Sequence, residues 1–216
     1  KIYMRRGATQ KLRPVKVGVR YGPKDGQLLD VFGGQTLPED APVLVYVHGG
    51  YWQDLSRELS AYCVLPQYEC GTRVIVVGYD LAPSVSVNDI IKEIEEAATY
   101  IVNEAFTRRS KSVVFCGHSA GAHLISMLLL SGWMDTLDTE VQHMVKGFVL
   151  ISGVYDLTPL VHTYVNRVLS MNSDDAERCS PQLLQLSPVK TQLEVLIVVG
   201  EHESPEFHRQ SKQFAQ

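Results

Sequence analysis

The sequence predicts an α/β fold, with a mostly parallel, doubly wound sheet that opens on an antiparallel strand pair. Three observations carry this prediction. Five continuous runs of β-branched and apolar residues are typical of strands buried on both faces. Segments with helical periodicity lie between strands. The 216 residues are 45% hydrophobic and 20% charged, which is ordinary for one globular domain with its own core. We therefore expect a single domain over residues 1–216.

The strands are predicted from their composition and from the turns that bound them. Lys16–Tyr21 and Leu28–Phe32 are short and flank the turn-rich stretch Gly22–Gly26, so we expect them to pair antiparallel. Five strands that we expect to be buried on both faces follow: Pro42–Val47, Val74–Val77, Ser112–Cys116, Gly147–Ile151 and Val195–Val199. With helices between them, parallel pairing is the expected arrangement.

Three helices are predicted. The first has an apolar stripe at three- and four-residue spacing: Val87, Ile90, Ile91, Ile94, Ala97, Ala98, Ile101 and Ala105. The second, Ala120–Leu130, is apolar and directly follows a strand. The third begins at Ser204, with Ser as N-cap and Pro205 at the first helical position. Met171–Leu186 is polar, and we expect an excursion above the sheet there.

Charge and cysteine usage exclude several classes of protein. The net charge of −4 favours neither a nucleic-acid nor an anionic-membrane partner. No segment reaches the roughly 18 apolar residues of a membrane span, and no secretion signal is visible. The cysteines, at 63, 70, 116 and 179, have no metal-ligand spacing. We expect a cytoplasmic protein with reduced thiols, a buried Cys116, no metal and no cofactor.

A nucleophile elbow is the most specific signal. Gly117-His118-Ser119-Ala120-Gly121 matches G-x-S-x-G and lies directly between a predicted strand and a predicted helix. A turn this tight leaves no room for a Cβ at either flanking glycine. It lifts the Ser119 hydroxyl above the sheet at a helix N-terminus, where the dipole favours developing negative charge. The motif therefore predicts a serine nucleophile.

The stretch His48–Trp52 (HGGYW) predicts an oxyanion loop. It follows a buried strand, and Gly49 and Gly50 let backbone N–H groups approach a ligand oxygen. In folds with this elbow, such groups join the N–H that follows the nucleophile, here that of Ala120. Because His48 precedes the glycines, we expect it to brace the loop rather than to act as the base.

A serine nucleophile also needs a base held by a carboxylate, in the chain order Ser, acid, His. Glu203 and Asp156 both follow strands, and we favour Glu203 because it follows the last strand. His208 follows Glu203, but it lies one turn into a predicted helix and too close along the chain to reach Ser119. Other histidines precede the acid: His123, His143, His162 and His202. We expect the domain to be truncated at its C-terminus, with the base beyond Gln216.

Taken together, these motifs resemble the kynurenine formamidase (arylformamidase) family of α/β-hydrolases, over roughly Tyr21 to the C-terminus. That family has His-Gly-Gly-x-Trp where most related esterases have His-Gly-Gly-Gly. The resemblance rests on four segments: His48–Trp52, Gly117–Leu124, Ser152–Leu157 and Ser204–Ser211.

The resemblance implies a reaction and roles for residues. Ser119 would be the nucleophile, and the family's acid, an Asp, maps onto Glu203, whose side chain is one methylene longer. The family's catalytic His lies in an Asp-His-Phe stretch beyond Gln216. The implied reaction is hydrolysis of the aryl formamide N-formyl-L-kynurenine to L-kynurenine and formate in tryptophan breakdown. Tyr51 and Trp52 would stack on the aryl ring, with plain core packing as the alternative for both.

Two other functions stay open, as does a homodimer. The first is a general aryl or carboxyl esterase of the same fold. The second is a catalytically impaired binding protein, which the atypical acid and the missing base support and the intact elbow and oxyanion loop oppose.

Overall fold

One seven-stranded sheet organises the chain. The computed structural model describes residues 15–185 and 192–216. The strands are β1 Val15–Arg20, β2 Leu28–Phe32, β3 Val43–Val47, β4 Arg73–Val77, β5 Val113–His118, β6 Val145–Ile151 and β7 Glu194–Val198. Their order in the sheet is β1-β2-β4-β3-β5-β6-β7.

The strand directions agree with the sequence-based prediction. β1 pairs antiparallel with β2, and β2 pairs antiparallel with β4. All other pairs are parallel. Leu44 of β3 lies opposite Val74 of β4 on one side and Val114 of β5 on the other, so β3 is central. The predicted antiparallel opening pair and mostly parallel sheet are both confirmed.

Helices cover both faces of the sheet. They are α1 Val64–Glu69, α2 Val87–Thr107, α3 Ala120–Leu130, α4 Thr139–Gln142, α5 Asn166–Leu169, α6 Ser173–Arg178 and α7 Pro205–Phe214. Val64 of α1 packs with Tyr46 and Cys116 on one face, which confirms the predicted burial of Cys116. α2 and α3 pack on the other face, with Val45 and Phe115. In the two described ranges, no helix is long and apolar enough to span a bilayer.

Helix α2 forms as its sequence predicts. Its N-terminus has a capping box, in which the Asp89 N–H donates to Ser86 Oγ at 3.1 Å and the Ser86 N–H donates to Asp89 Oδ2 at 3.2 Å. Every residue of the predicted apolar stripe is buried. The stripe fixes α2 against the sheet and the capping box fixes where the helix begins.

Helix α7 begins where predicted but is held differently. Ser204 is the N-cap residue and Pro205 is in the first turn, but the Ser204 hydroxyl accepts no capping hydrogen bond. Gln210 Oε1 instead accepts from the N–H groups of Tyr155 at 2.7 Å and Asp156 at 3.0 Å. These bonds join α7 to the segment that follows β6, which brings the two candidate acids to the same end of the sheet.

The prediction that Val195–Val199 is buried on both faces is wrong. Strand β7 forms, but Val195, Leu196 and Val198 are 44%, 57% and 38% exposed. The reason is position: β7 is the last strand of the described sheet and pairs with β6 on one side. A local apolar run is the same for an edge strand and for a central one, so the sequence could not distinguish them.

The predicted excursion at Met171–Leu186 is helical and packed. Its described residues, 171–185, contain α6 and a 3₁₀ turn at Pro181–Leu183. Met171, Ala176 and Cys179 are buried in the main core. Leu186 lies outside the described residues.

Candidate active site

The elbow places Ser119 at the junction of β5 and α3. Its backbone has φ 56° and ψ −120°, a left-handed conformation that a non-glycine residue adopts at a cost of about 1–3 kcal/mol. A Cβ on Gly117 would overlap Gly121, and one on Gly121 would overlap the Val47 carbonyl. The Ser119 N–H donates to the Ile151 carbonyl at 2.8 Å. The predicted steric need for both glycines is confirmed.

The loop after β3 lies directly against this elbow. A Cβ on Gly49 would lie 2.8 Å from the His118 carbonyl oxygen and 3.0 Å from Ser119 Cβ. Gly50 has φ 106°, and a Cβ there would overlap the Asp54 carbonyl. The structure therefore brings the predicted glycines to the candidate nucleophile. Ala120, whose N–H was predicted to join them, is the first residue of α3.

His48 is enclosed behind this loop. Its side chain is buried, stacks on Tyr79 at a ring-centroid distance of 4.2 Å, and has Nδ1 at 2.9 Å from the Gly49 carbonyl oxygen. The Tyr79 hydroxyl donates to the His48 carbonyl at 2.9 Å. Burial lowers the pKa of His48 to about 4. These contacts fit a residue that braces the loop, as predicted, and not a base.

Trp52 has no exposed surface. Its Nε1–H donates to His123 Nδ1 at 3.1 Å, and His123 Nε2 lies 2.7 Å from the Cys179 carbonyl oxygen. Since Nδ1 accepts, Nε2 carries the proton and donates. Burial lowers the pKa of His123 to about 4. With no surface to offer a ligand, Trp52 fits the core-packing alternative rather than stacking on a substrate ring.

His123 has a structural role that its sequence context did not reveal, because it is fully buried and hydrogen-bonded to the loop. It lies one turn after Ser119 in α3, and its N–H donates to the Ser119 carbonyl at 3.1 Å. The i, i+4 spacing puts both residues on one face of the helix, towards the loop that carries Trp52. The i, i+4 spacing indicates that His123 faces the same side of α3 as Ser119. The hydrogen bond between Trp52 and His123 joins residues that are 71 apart in sequence, so no local pattern predicts it.

Tyr51 is the aromatic residue of the loop that solvent reaches. It is half-buried, has φ 50° and makes an edge contact with Trp52. Its pKa is raised, chiefly by burial and further by Tyr164 and Glu203. Tyr51, and not Trp52, is therefore placed to meet a ligand.

The two candidate acids differ in what their carboxylates do. Asp156 Oδ1 accepts from the Thr158 N–H at 2.9 Å and the Thr158 hydroxyl at 2.6 Å, a local turn cap. Glu203 instead folds over Gly200. Burial lowers the pKa of His118, and the Glu203 charge acts against that shift. Glu203 therefore lies within electrostatic reach of the elbow.

Among the described residues, no histidine ring forms a hydrogen bond with the Ser119 hydroxyl. Ring nitrogens of His48 and His123 bond to Gly49, Trp52 and Cys179. His208 lies in helix α7, as predicted, and its side chain is exposed. Within residues 15–185 and 192–216, no group of three His, Cys, Asp or Glu side chains could hold a metal ion.

Comparison with known proteins identifies the family of this chain. Residues 44–215 match the family described as the alpha/beta hydrolase fold. The kynurenine formamidase of Salmo salar is 36% identical over 97% of this chain and 69% of its own length. That of Drosophila melanogaster is 33% identical over 91% of this chain and 66% of its own. A hyperthermophilic esterase from Pyrobaculum calidifontis shares the fold, with a TM-score of 0.76 and 20% sequence identity. That match covers 94% of this chain and 71% of the esterase chain. The chain belongs to the kynurenine formamidase family of α/β-hydrolases.

Proposed function

We propose that this chain belongs to an enzyme that hydrolyses N-formyl-L-kynurenine to L-kynurenine and formate, a step of tryptophan breakdown. The observation that carries the proposal is the position of Gly49 against Ser119, in a chain that is 36% identical to a kynurenine formamidase over 97% of its length. Together they supply a candidate nucleophile, an oxyanion loop and a substrate class.

In the proposed reaction, Ser119 Oγ attacks the formyl carbon and the aniline nitrogen leaves with a proton. Water then hydrolyses the formyl-enzyme to formate. The tetrahedral oxyanion would be held by the N–H groups of Ala120, Gly49 and Gly50. Such donors are each worth about 10²–10³ in rate, because they are fixed before the charge develops. Ala120 also begins α3, so the helix dipole adds to the stabilisation.

The acid of the proposed triad is Glu203. Its carboxylate is free of the local turn that occupies Asp156, and its charge reaches His118 and Tyr51. We propose that the histidine it orients lies beyond Gln216; this chain spans 69% of the length of the Salmo salar relative. That histidine would take the proton from Ser119 and return it to the leaving nitrogen.

Tyr51 is the proposed contact for the aryl leaving group. It is half-buried beside the loop glycines, and an offset or edge contact with an aromatic ring is worth about 0.5–1.5 kcal/mol beyond the buried area. Trp52 supports this contact from behind, since its ring meets Tyr51 edge-on at 6.3 Å.

A general aryl or carboxyl esterase is the second candidate. The observation that favours it is the burial of Trp52, since the residue that distinguishes the loop from that of related esterases does not touch a ligand. The His-Gly-Gly-x-Trp motif then indicates how the loop is supported rather than which substrate binds.

One comparison of substrates separates the two candidates. The full-length protein is assayed with N-formyl-L-kynurenine and with p-nitrophenyl acetate, and kcat/KM is measured for each. The proposal predicts a clear preference for the formamide, and Tyr51→Ala should reduce kcat/KM for both of these aryl substrates more than for ethyl acetate, whose leaving group has no ring. A preference for the acetate would assign a general esterase instead.

A further inference from the structure

A cavity lies at the opposite end of the sheet from Ser119. It has a volume of about 90 Å³ and lies between α2 and strands β1 to β4. Its lining includes Val43 and Arg73, the first residues of β3 and β4, whereas Ser119 follows the carboxyl end of β5. Five residues of strand at about 3.3 Å each separate the two ends, or roughly 16 Å.

The walls of this cavity are apolar. Leu29, Val31, Val43 and Ile75 line it from the sheet, and Ile101 lines it from α2. Val31 lies opposite Ile75 in the sheet, so their side chains share one face. An apolar ligand group in this space would contact apolar side chains of both the sheet and α2. At about 90 Å³ the space is smaller than the apolar cavity of roughly 150 Å³ that holds benzene, but it is open to solvent at the exposed side chains of Lys16 and Glu104, so a short chain or part of a single ring can enter it.

A buried cation also lines the cavity. Arg73 is 3% exposed, and it lies on the same sheet face as its register partner Val43. The partners of its guanidinium among the described residues are neutral: the Pro38 carbonyl at 3.0 Å, the Glu39 carbonyl at 3.3 Å and Ser110 Oγ at 3.4 Å. Its Nε–H has no hydrogen-bond partner there. A buried donor without an acceptor costs about 1–3 kcal/mol, so this N–H can receive an acceptor atom of a ligand, and the positive charge of the guanidinium favours an anionic one.

The other charged residues that line the cavity are mostly positive. Lys16 and Arg108 add two positive charges, and Glu104 adds one negative charge. Arg108 Nε is 3.7 Å from Glu104 Oε2 and both side chains are partly exposed, so this pair is weak and leaves Arg108 available. With Arg73, three cations and one anion line the cavity, although the chain as a whole has a net charge of −4 and the Glu39 charge also acts on Arg73.

We propose that this cavity binds a small monocarboxylate with a compact apolar body, such as a single aromatic ring. The carboxylate would accept from Arg73 Nε and sit among Lys16 and Arg108, and the apolar body would lie between the sheet and α2. A free phosphate would match the charge but leave the apolar walls unused. A neutral ligand would match the walls but leave the positive charge of Arg73 without a counter-ion.

Benzoate is the test probe, with benzamide as its neutral counterpart. Binding to the full-length protein is followed by amide chemical shifts. Benzoate should shift Leu29, Ile75 and Ala105 in a saturable way, and benzamide should bind much more weakly. Shifts confined to Gly49 and Ala120 would place benzoate at the elbow and overturn the proposal, as would equal binding of benzamide.

Three variants test whether the charges that line the cavity contribute to binding. Arg108→Gln should weaken benzoate binding roughly two- to five-fold, and Glu104→Gln should strengthen it by a similar factor. Arg109→Gln is the matched control, because Arg109 is adjacent and exposed but does not line the cavity. An equal effect of Arg108→Gln and Arg109→Gln would show only a general charge effect and overturn the site.

Blocking the cavity gives the complementary test. Ala105 lines it from α2, so Ala105→Leu should abolish benzoate binding. Arg73→Met removes the buried cation, but it also removes the donors to the Pro38 and Glu39 carbonyls and endangers folding. Ala105→Leu leaves those bonds intact, and undiminished binding in a folded Ala105→Leu variant would contradict the proposal.

Discussion

Trp52 Nε1 donates to His123 Nδ1 at 3.1 Å, which joins the candidate oxyanion loop to the helix that begins after Ser119. The bond is buried on both sides, and His123 continues it to the Cys179 carbonyl at 2.7 Å. Three separate segments of the chain are thereby fixed relative to one another. The Trp in this loop therefore acts on the site through the backbone of the loop rather than by touching a ligand.

Trp52→Phe should weaken both stability and catalysis. It leaves His123 Nδ1 without a donor, so the free energy of unfolding should fall by about 1–3 kcal/mol. The loop glycines lose their support, so kcat should fall between about ten- and a hundred-fold with a smaller change in KM. Urea unfolding and steady-state kinetics measure the two effects.

Trp133→Phe is the matched control. Trp133 is also buried and also donates from Nε1, to Thr99 Oγ1 at 2.9 Å, but it lies at the far end of α3. The Trp133→Phe variant should have a lower free energy of unfolding and an unchanged kcat. If both tryptophan variants lose kcat to the same extent, the bond to His123 has no special effect on the site.

The buried histidines predict an acid-sensitive fold. The pKa values of His48 and His123 are lowered from 6.5 to about 4 by burial, so both stay neutral in the folded chain while the unfolded chain takes up protons below about pH 6.5. Stability is therefore full above pH 6.5 and is lost as pH falls towards 4. Between pH 7 and pH 5 the loss should be about 2 kcal/mol for each histidine.

Urea unfolding at the two pH values measures this loss. His123→Gln should reduce the difference between pH 7 and pH 5 by about half, even if it lowers stability at both. His162→Gln changes an exposed histidine and is the control. A difference that His123→Gln leaves unchanged would contradict the assignment of His123 as a buried neutral group.

Gly49→Ala should impair catalysis by steric displacement. Its Cβ would lie 2.8 Å from the His118 carbonyl oxygen and 3.0 Å from Ser119 Cβ, so the loop must move away from the elbow. A shift of the oxyanion donors on that scale should cost about 10² in kcat. Gly34→Ala is the control, because its Cβ would make an ordinary 3.7 Å contact with Val31. Equal kcat values for the two variants would refute the role of this loop.

Variants of the two candidate acids distinguish them. Glu203→Gln removes the charge that is proposed to hold the base and should lower kcat by on the order of 10⁴, whereas Glu203→Asp should stay within about ten-fold of the natural chain. Glu201→Gln, at an exposed neighbour, is the control. If Asp156→Asn gives the large loss and Glu203→Gln does not, Asp156 is the acid.

Much of this architecture was predictable from local chemistry. β3 and β5 are continuous apolar runs, and the elbow needs glycine at 117 and 121 whatever the rest of the fold does. The exposure of β7 was not predictable, because burial of a strand depends on what packs beside it. The burial of Trp52 was equally hidden, since its partner His123 is distant in sequence and the tight turn decides on which side of the loop the indole lies.

Ser119 is proposed here as the nucleophile of a formamidase. The most direct test of this proposal is kcat/KM for N-formyl-L-kynurenine, measured on the full-length protein and on its Ser119→Ala variant, with Ser84→Ala at an exposed serine as the control. We predict a loss of about 10⁶ for Ser119→Ala, down to the background rate, and no change for Ser84→Ala. Hydrolysis by the folded Ser119→Ala variant at the rate of the natural chain would contradict the account.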